Sequence, residues 1–241
     1  HDAFLLDNPQ YHALIGAYFQ RIAPDTKSYS TFRFGSEVKR RIEERESETQ
    51  RADYATMASW MDKGARVLDL GCGDGGLLAY LKRERDVRGY GIEIDDAGVF
   101  ASVRNGINVL QSNLEQGLAG FDDASFDCVI LSQTLQAMRH TEEIVLEMLR
   151  VGREAIITFP NFGHWSHRWQ ILRGRMPVSD KLPYQWYDTP NIHLCTVADF
   201  DAFLAERRYA VENSVVLAGG HRVSVLPNLR GELAIYRFRR A

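Results

Sequence analysis

The chain has 241 residues, 45% of them hydrophobic and 25% charged, enough for one α/β domain with a filled core and a small additional segment. A net charge of −3 gives no general attraction to nucleic acid or to an anionic membrane. No apolar run nears the roughly 18 residues of a membrane span, and no basic-then-apolar leader is read, so neither a span nor a signal peptide is expected. Cys72, Cys128 and Cys195 are odd in number, far apart and without a C-x-x-C pair. That argues for a reducing cytoplasmic setting rather than a disulfide scaffold or a cysteine zinc site. The sequence begins at His1 without an initiator Met and reads as part of a longer polypeptide.

Residues 9–22 carry Tyr11, Leu14, Ile15, Tyr18, Phe19 and Ile22 at helical spacing, and Pro24 stops the pattern. Residues 24–35 are rich in Ser and Thr and read as a linker. A charged helix is predicted over residues 36–48, with Glu43 and Glu44 among Arg40, Arg41 and Arg45. A second amphipathic helix is expected near 52–61, with Tyr54, Met57 and Met61 on one face. From Arg66 the rhythm becomes strand–helix alternation. Strands are predicted at 66–70, 88–94, 107–111, 126–132 and 153–159, and helices at 75–84, 96–105 and 140–150. These connections are too long for hairpins and suit right-handed crossovers, which predicts a doubly wound, mostly parallel sheet. An aromatic insertion follows Pro160 and runs to about 195. A helix near 196–207 and strands near 209–217 and 232–239 then complete a seven-stranded α/β domain preceded by helices.

The most informative stretch is Val67-Leu68-Asp69-Leu70-Gly71-Cys72-Gly73-Asp74-Gly75-Gly76. A strand runs into a turn nearly without side chains, and a helix opens after it. Backbone lacking Cβ atoms can press against a ligand, and the helix N-terminus points its N–H groups there. A bare strand–helix turn satisfies the same spacing. The context adds Glu93 at the end of the next strand, roughly twenty residues on, where a carboxylate accepts both hydroxyls of a ribose. Two ligands compete. A nicotinamide dinucleotide would bring a pyrophosphate, which Asp69 and Asp74 would repel. S-adenosylmethionine brings a sulfonium and an ammonium group, which Asp69 at the loop mouth suits, so it is the favoured small-molecule ligand.

The insertion holds three of the four tryptophans, in Phe159-Pro160-Asn161-Phe162-Gly163-His164-Trp165 and in the stretch Leu182 to Thr196. Long loops at the carboxyl end of a sheet shape a ligand crevice or a partner surface, or simply cover the core. His164 and His167 are spaced to share a helix face, with His193 expected nearby. A metal site is not expected, because H-E-x-x-H is lacking. His164, Tyr184 and His193 are candidates for contact with a substrate or partner. Arg168, Arg173 and Arg175 read as a carboxylate-receiving or simply solvated basic face.

The Asp69-x-Gly71-x-Gly73 pattern, Glu93 and the strand order resemble class I S-adenosylmethionine-dependent methyltransferases. That resemblance implies that Asp69, Gly71 and Gly73 surround the methionine part of the ligand and that Glu93 holds its ribose. It also implies that Asn113 and Leu114 flank adenine, although many such folds carry Asp where Asn113 stands. Ser132 and Gln133 would lie beside the sulfonium. A turn role for Asn113 and a capping or surface role for Gln133 remain open alternatives.

Together with the glycine loop, Leu131-Ser132-Gln133-Thr134-Leu135-Gln136 and the two insertion motifs are similar to the methionine biosynthesis protein MetW family over roughly 51–240. The resemblance implies a role in methionine biosynthesis beside homoserine O-acetyltransferase. Residues 1–23, with His1-Asp2-Ala3-Phe4-Leu5, are similar to the carboxyl end of that acetyltransferase, an α/β-hydrolase-fold enzyme. There His1 would be the base of a Ser-His-Asp triad, yet the chain has no G-x-S-x-G elbow to supply its nucleophile. The expected organisation is thus an acetyltransferase-like tail at 1–23, a linker and charged helix at 24–50, and a methyltransferase-like domain at 51–241. Two functions follow. One is an accessory or regulatory module that binds S-adenosylmethionine, or S-adenosylhomocysteine, and acts with the acetyltransferase. The other is an active methyltransferase on a small carboxylate or a protein group.

Overall fold

The structure, a computed structural model, describes residues 52–241, all within the compact unit Arg45–Ala241. The expected tail at 1–23, His1 included, and the linker at 24–50 lie outside the described residues.

A helix over 52–59 (α1) leads into β1 (Arg66–Leu70), α2 (Gly76–Arg85), β2 (Arg88–Glu93), α3 (Asp96–Arg104) and β3 (Val109–Gln111). Next come β4 (Phe126–Ser132), α4 (Thr141–Val151), β5 (Gly152–Pro160) and α5 (Trp165–Leu172). The chain closes with α6 (Val197–Glu206), β6 (Tyr209–Ala218), β7 (His221–Arg222), α7 (Pro227–Arg230) and β8 (Leu233–Arg240). The strands form one sheet in the order β3-β2-β1-β4-β5-β8-β6-β7. Strands β1 to β5 pair in parallel, and β8 enters antiparallel between β5 and β6. Seven of these are the expected strands. The eighth, β7, is a two-residue hairpin partner of β6 at the edge.

The central strands are apolar on both faces because helices cover both. One core cluster joins Leu68, Leu70, Leu131, Ile157 and Phe159 to α4 and α6. The other joins Val67, Ile130 and Ile156 to Met57 and Met61 of the α1 segment and Leu77, Leu78 and Leu81 of α2. Side chains alternate along a strand, so Asp69 shares the face of Val67 and points toward α1 and α2. The α1 segment is fastened to the sheet by Arg237. Its guanidinium donates to both carboxylate oxygens of Glu154 (2.7 and 2.9 Å) and to the Trp60 carbonyl (2.9 Å).

Four elements depart from the sequence expectation. Helix α5 lies inside the insertion, β7 adds an eighth strand, the short helix α7 precedes β8, and β3 starts at Val109 rather than 107. Ile107 is instead turned inward beneath the glycine loop, following the Asn105–Gly106 turn. A fully buried Asn161 holds the insertion's two ends. Its Nδ2 donates to the carbonyls of Asn228 and Gly231, and its Oδ1 accepts from the N–H groups of Gly163 and Val197. Thr196 caps α6 in a reciprocal box with Asp199.

Candidate ligand cradle at the carboxyl edge of the sheet

The carboxyl ends of β1, β2 and β4 converge. The N–H groups of Gly71 and Cys72 both donate to the Ile92 carbonyl, which ties the loop to the end of β2. Gly71 takes φ 69°, and a Cβ there would come within 2.8 Å of Thr134 Oγ1. Gly73 takes φ 56°, and among the described residues a Cβ there would meet nothing within 4 Å. The loop is pinned from α3. Ser102 Oγ donates to the Gly73 carbonyl and Asn105 Nδ2 to that of Asp74, both at 2.9 Å. Asp74 turns back to accept from the Gly76 N–H (2.9 Å), neutralising one of the exposed donors that begin α2.

Glu93 accepts the Gly73 N–H on Oε2 (2.8 Å) and those of Ile94 and Asp95 on Oε1 (2.8 and 2.9 Å). A carboxylate oxygen has about two acceptor positions, so Oε2 keeps capacity for a further donor. Glu93 is therefore rigidly aimed at the open side of the loop.

Asp69 does not stand at the loop mouth. It is buried to 1% exposure beneath the loop, and its Oδ1 has no hydrogen-bond partner among the described residues. Burial, with the Glu93 charge adding to it, pushes its carboxyl up to about 8. At neutral pH the protonated form of the group is favoured. The same burial pushes the Cys72 thiol up to about 12, which removes it as a nucleophile.

Ser132 ends β4, and Gln133 follows it. The Ser132 and Thr158 hydroxyls are 3.1 Å apart, and the Gln133 N–H donates to Thr158 Oγ1 and to its carbonyl, each at 3.0 Å. Gln133 has φ 51°, a conformation that costs a non-glycine residue about 1 kcal/mol or more. Its Nε2 reaches Asp53 Oδ2 at 3.5 Å. Sequence reading missed Asp53, Thr134 and Thr158. A lone Asp at a helix start reads as a cap. Thr158 could have been found as the hydroxyl that interrupts Ala155-Ile156-Ile157-Thr158-Phe159.

Asn113 follows β3 near Glu93, and its Oδ1 accepts from the Glu115 N–H (3.0 Å), capping a 3-10 turn. Leu114 packs half-buried on the α4 side of the core. The insertion's candidates lie apart from the glycine loop. His164 is the N-cap of α5 and not a residue of the helix, with Nδ1 against Ser166 Oγ (2.8 Å). His167 is buried, its ring bonding Ser179 Oγ (2.9 Å) and the Phe162 carbonyl (3.3 Å). Burial lowers the proton affinity of both imidazoles. The His193 ring bonds to the Arg139 carbonyl (3.3 Å), while Tyr184 is 46% exposed. Among the described residues, no three His, Cys, Asp or Glu side chains are grouped to hold a metal ion. No described helix is long and apolar enough to cross a membrane.

A second concavity of about 660 Å³ lies on the α4 and α6 side of the sheet. Leu135, Phe159, Phe200 and Phe203 form its apolar wall, and His193, Arg139 and Arg207 its polar rim. The insertion is strapped to this region. The N–H groups of Ile192 and His193 donate to the Gln136 carbonyl (2.7 and 3.0 Å), and Gln136 Nε2 donates to the Gln133 carbonyl (2.7 Å).

A family model described as methionine biosynthesis protein MetW matches residues 51–238. The chain is 34% identical over 206 residues to the bifunctional methionine biosynthesis protein MetXA/MetW of Rhodopirellula baltica. That match covers 80% of the chain and 33% of the relative, so the chain spans about a third of the relative's length. Among solved structures, a SAM-dependent methyltransferase of Thermotoga maritima, described as a possible histamine N-methyltransferase, aligns with a TM-score of 0.60 at 13% identity. It covers 85% of this chain and 96% of that one. A TehB-like SAM-dependent methyltransferase of Corynebacterium glutamicum aligns at 0.54 and 14% identity, covering 97% and 100%. These likenesses establish the fold of the class I methyltransferases.

Proposed function

The chain belongs to the methionine biosynthesis protein MetW family, and from that premise we propose that it binds S-adenosylmethionine, or S-adenosylhomocysteine, and acts with homoserine O-acetyltransferase in methionine biosynthesis. One observation carries the ligand reading: a buried carboxyl with an unpartnered oxygen, Asp69, lies beneath an open glycine loop and beside the fixed carboxylate of Glu93. The residues fit this ligand. Glu93 Oε2 has acceptor capacity for a ribose hydroxyl, Gly73 leaves space for close approach, and Asp69 offers an anion once it gives up its proton. When bound, the cofactor supplies an electrophilic methyl group on its sulfonium. Asp69 and Glu93 stabilise the positive end and orient the nucleoside. Ser132 and Thr158 present hydroxyls beside them. A pyrophosphate would meet two acids and no cation from the loop.

The partner reading is supported by the relative, whose name joins MetXA to MetW in one polypeptide. It is also supported by the resemblance of residues 1–23 to an acetyltransferase tail. A ligand that changes the acetyltransferase's activity must favour one state of the assembly over another. Isothermal titration calorimetry with S-adenosylmethionine, S-adenosylhomocysteine and NADH tests the ligand. Binding of the first two, and its loss in Asp69→Ala, is expected; preference for NADH or unchanged affinity in the variant would overturn it. Co-purification with homoserine O-acetyltransferase, with turnover measured with and without this chain and ligand, tests the partner.

A second reading, an active methyltransferase on a small carboxylate or a protein group, is favoured by the fold shared with solved SAM-dependent methyltransferases. Methyl transfer needs mainly an in-line approach to the sulfonium. Radiolabel passing from S-adenosylmethionine to any acceptor in cell extract would select this reading.

A further inference from the structure

The concavity of about 660 Å³ on the α4 and α6 side of the sheet is of the size that encloses a small ligand. Thr134 lies against Gly71 of the cradle, and the next two residues, Leu135 and Gln136, line the concavity. Its floor is a row of rings. The centroids of Phe159 and Phe200 are 4.9 Å apart, and those of Phe200 and Phe203 are 6.0 Å apart. Arg207 fixes one end. Its guanidinium donates to both carboxylate oxygens of Glu142 (2.6 and 2.9 Å), which ties α6 to α4, and it lies over the Phe203 ring.

The other end carries acceptors that lack donors. Gln136 Nε2 donates to the Gln133 carbonyl (2.7 Å), which fixes the orientation of the amide, because the reverse would set two oxygens together. Gln136 Oε1 is buried and has no partner among the described residues. A buried acceptor left unpaired costs about 1–3 kcal/mol, and a ligand that supplies the donor removes that cost. His193 stands on the strap above. Its Nε2 donates to the Arg139 carbonyl (3.3 Å), which leaves Nδ1 of the neutral ring as a second acceptor. The charges of the rim favour no net charge on a ligand. Glu142 is paired with Arg207, Asp199 is held in the capping box of α6, and exposed Arg139 and Glu143 are opposite in sign.

An aromatic floor with unanswered acceptors at its edge complements a flat, uncharged ring that carries an N–H or O–H. We infer that this concavity binds a small aromatic compound of the indole or phenol class, whose ring lies against the phenylalanines and whose N–H or O–H donates to Gln136 Oε1. The inference goes beyond the nucleoside reading and does not rest on it.

The test is calorimetry on the full chain with two matched pairs: indole against 1-methylindole, and p-cresol against its methyl ether. The second member of each pair keeps the ring and lacks the donor. At least one donor compound should bind about tenfold tighter than its blocked partner. Gln136→Met removes the acceptor, keeps the backbone carbonyl that holds the strap, and should erase that preference. Leu146→Trp, on the wall, should fill the concavity and weaken the bound probes by about tenfold or more. Leu146 is 44% exposed, so this variant keeps the test valid if Gln136→Met unfolds. Absence of binding by both donor compounds, equal affinity within both pairs, or a preference that survives Gln136→Met overturns the inference. Affinity unchanged in Leu146→Trp also overturns it, because the compounds then sit elsewhere. A separate titration with S-adenosylhomocysteine decides the nucleoside reading whichever way these results fall.

Discussion

The glycine cradle and the aromatic insertion meet at the same edge of the sheet and are built in opposite ways. In the cradle almost every polar atom is committed within the protein: Glu93 takes three N–H groups, Asp74 caps its own helix, and the loop is pinned from α3. In the insertion many of the large side chains face outward, with Trp186 72% and Tyr187 71% exposed, while Asn161, His167 and Leu182 are buried anchors. A cradle of this kind has one shape. A rim of exposed aromatics on buried anchors suits contact with a larger surface. The Gln136 strap joins Gln133 to Ile192 and His193.

The largest expected effect comes from cutting the insertion's anchor. Asn161→Leu strands four buried backbone groups, each at about 1–3 kcal/mol, and should lower the melting temperature by about 10 °C or more. A drop of only a degree or two by calorimetric melting would show that the insertion is held elsewhere. Next, Gly71→Val forces a branched side chain onto φ 69° and against Thr134. It should cost about 1–3 kcal/mol of stability and reduce S-adenosylhomocysteine affinity by about a hundredfold, while the insertion stays folded by tryptophan fluorescence.

Asp69 separates stability from binding. Its folded-state carboxyl, at about 8, lies above its unfolded value near 3.9, so the native state keeps a proton that the unfolded chain releases. Its stabilising effect is complete below about pH 4 and is lost as pH rises through about 8. Asp53, pushed by burial up to about 7, acts in the same sense. Denaturant titrations of the wild type should therefore show stability falling across that window, and Asp69→Asn should flatten the fall. Affinity for a sulfonium should run the other way, rising between pH 6 and 8 as the carboxyls ionise. A pH-independent calorimetric constant would refute the cation role. The smallest effect on the fold belongs to Trp186→Ala. Stability should shift by less than about 0.5 kcal/mol, while co-purification with homoserine O-acetyltransferase should weaken. Undiminished capture would remove this side chain from the contact.

The alternating core was legible because its signals are local. Apolar runs such as Val129 to Leu131 and Ala155 to Ile157 mark buried parallel strands, and β1 and β4 fall at their expected bounds. Helix α5 escaped because Trp165, Trp169, Ile171 and Leu172 are all exposed and only His167 is buried, so no apolar face announces it. The turn glycines Gly71 and Gly73 and the strand-end acid Glu93 were legible from position, whereas Ser132 and Gln133 came only from the family resemblance. Asp53 was not legible, because nothing near it in sequence shows that it meets Gln133, eighty residues away.

The order of strands and helices, the glycine turn and the acid that follows it were set by hydrophobic period and backbone freedom, which act over a few residues at a time. The ionisation of Asp69, the pairing of Asp53 with Gln133 and the exposure of the insertion's aromatics were decided only by tertiary structure. Desolvation depends on which face of the sheet a side chain takes and what packs over it, and long-range packing alone determines that.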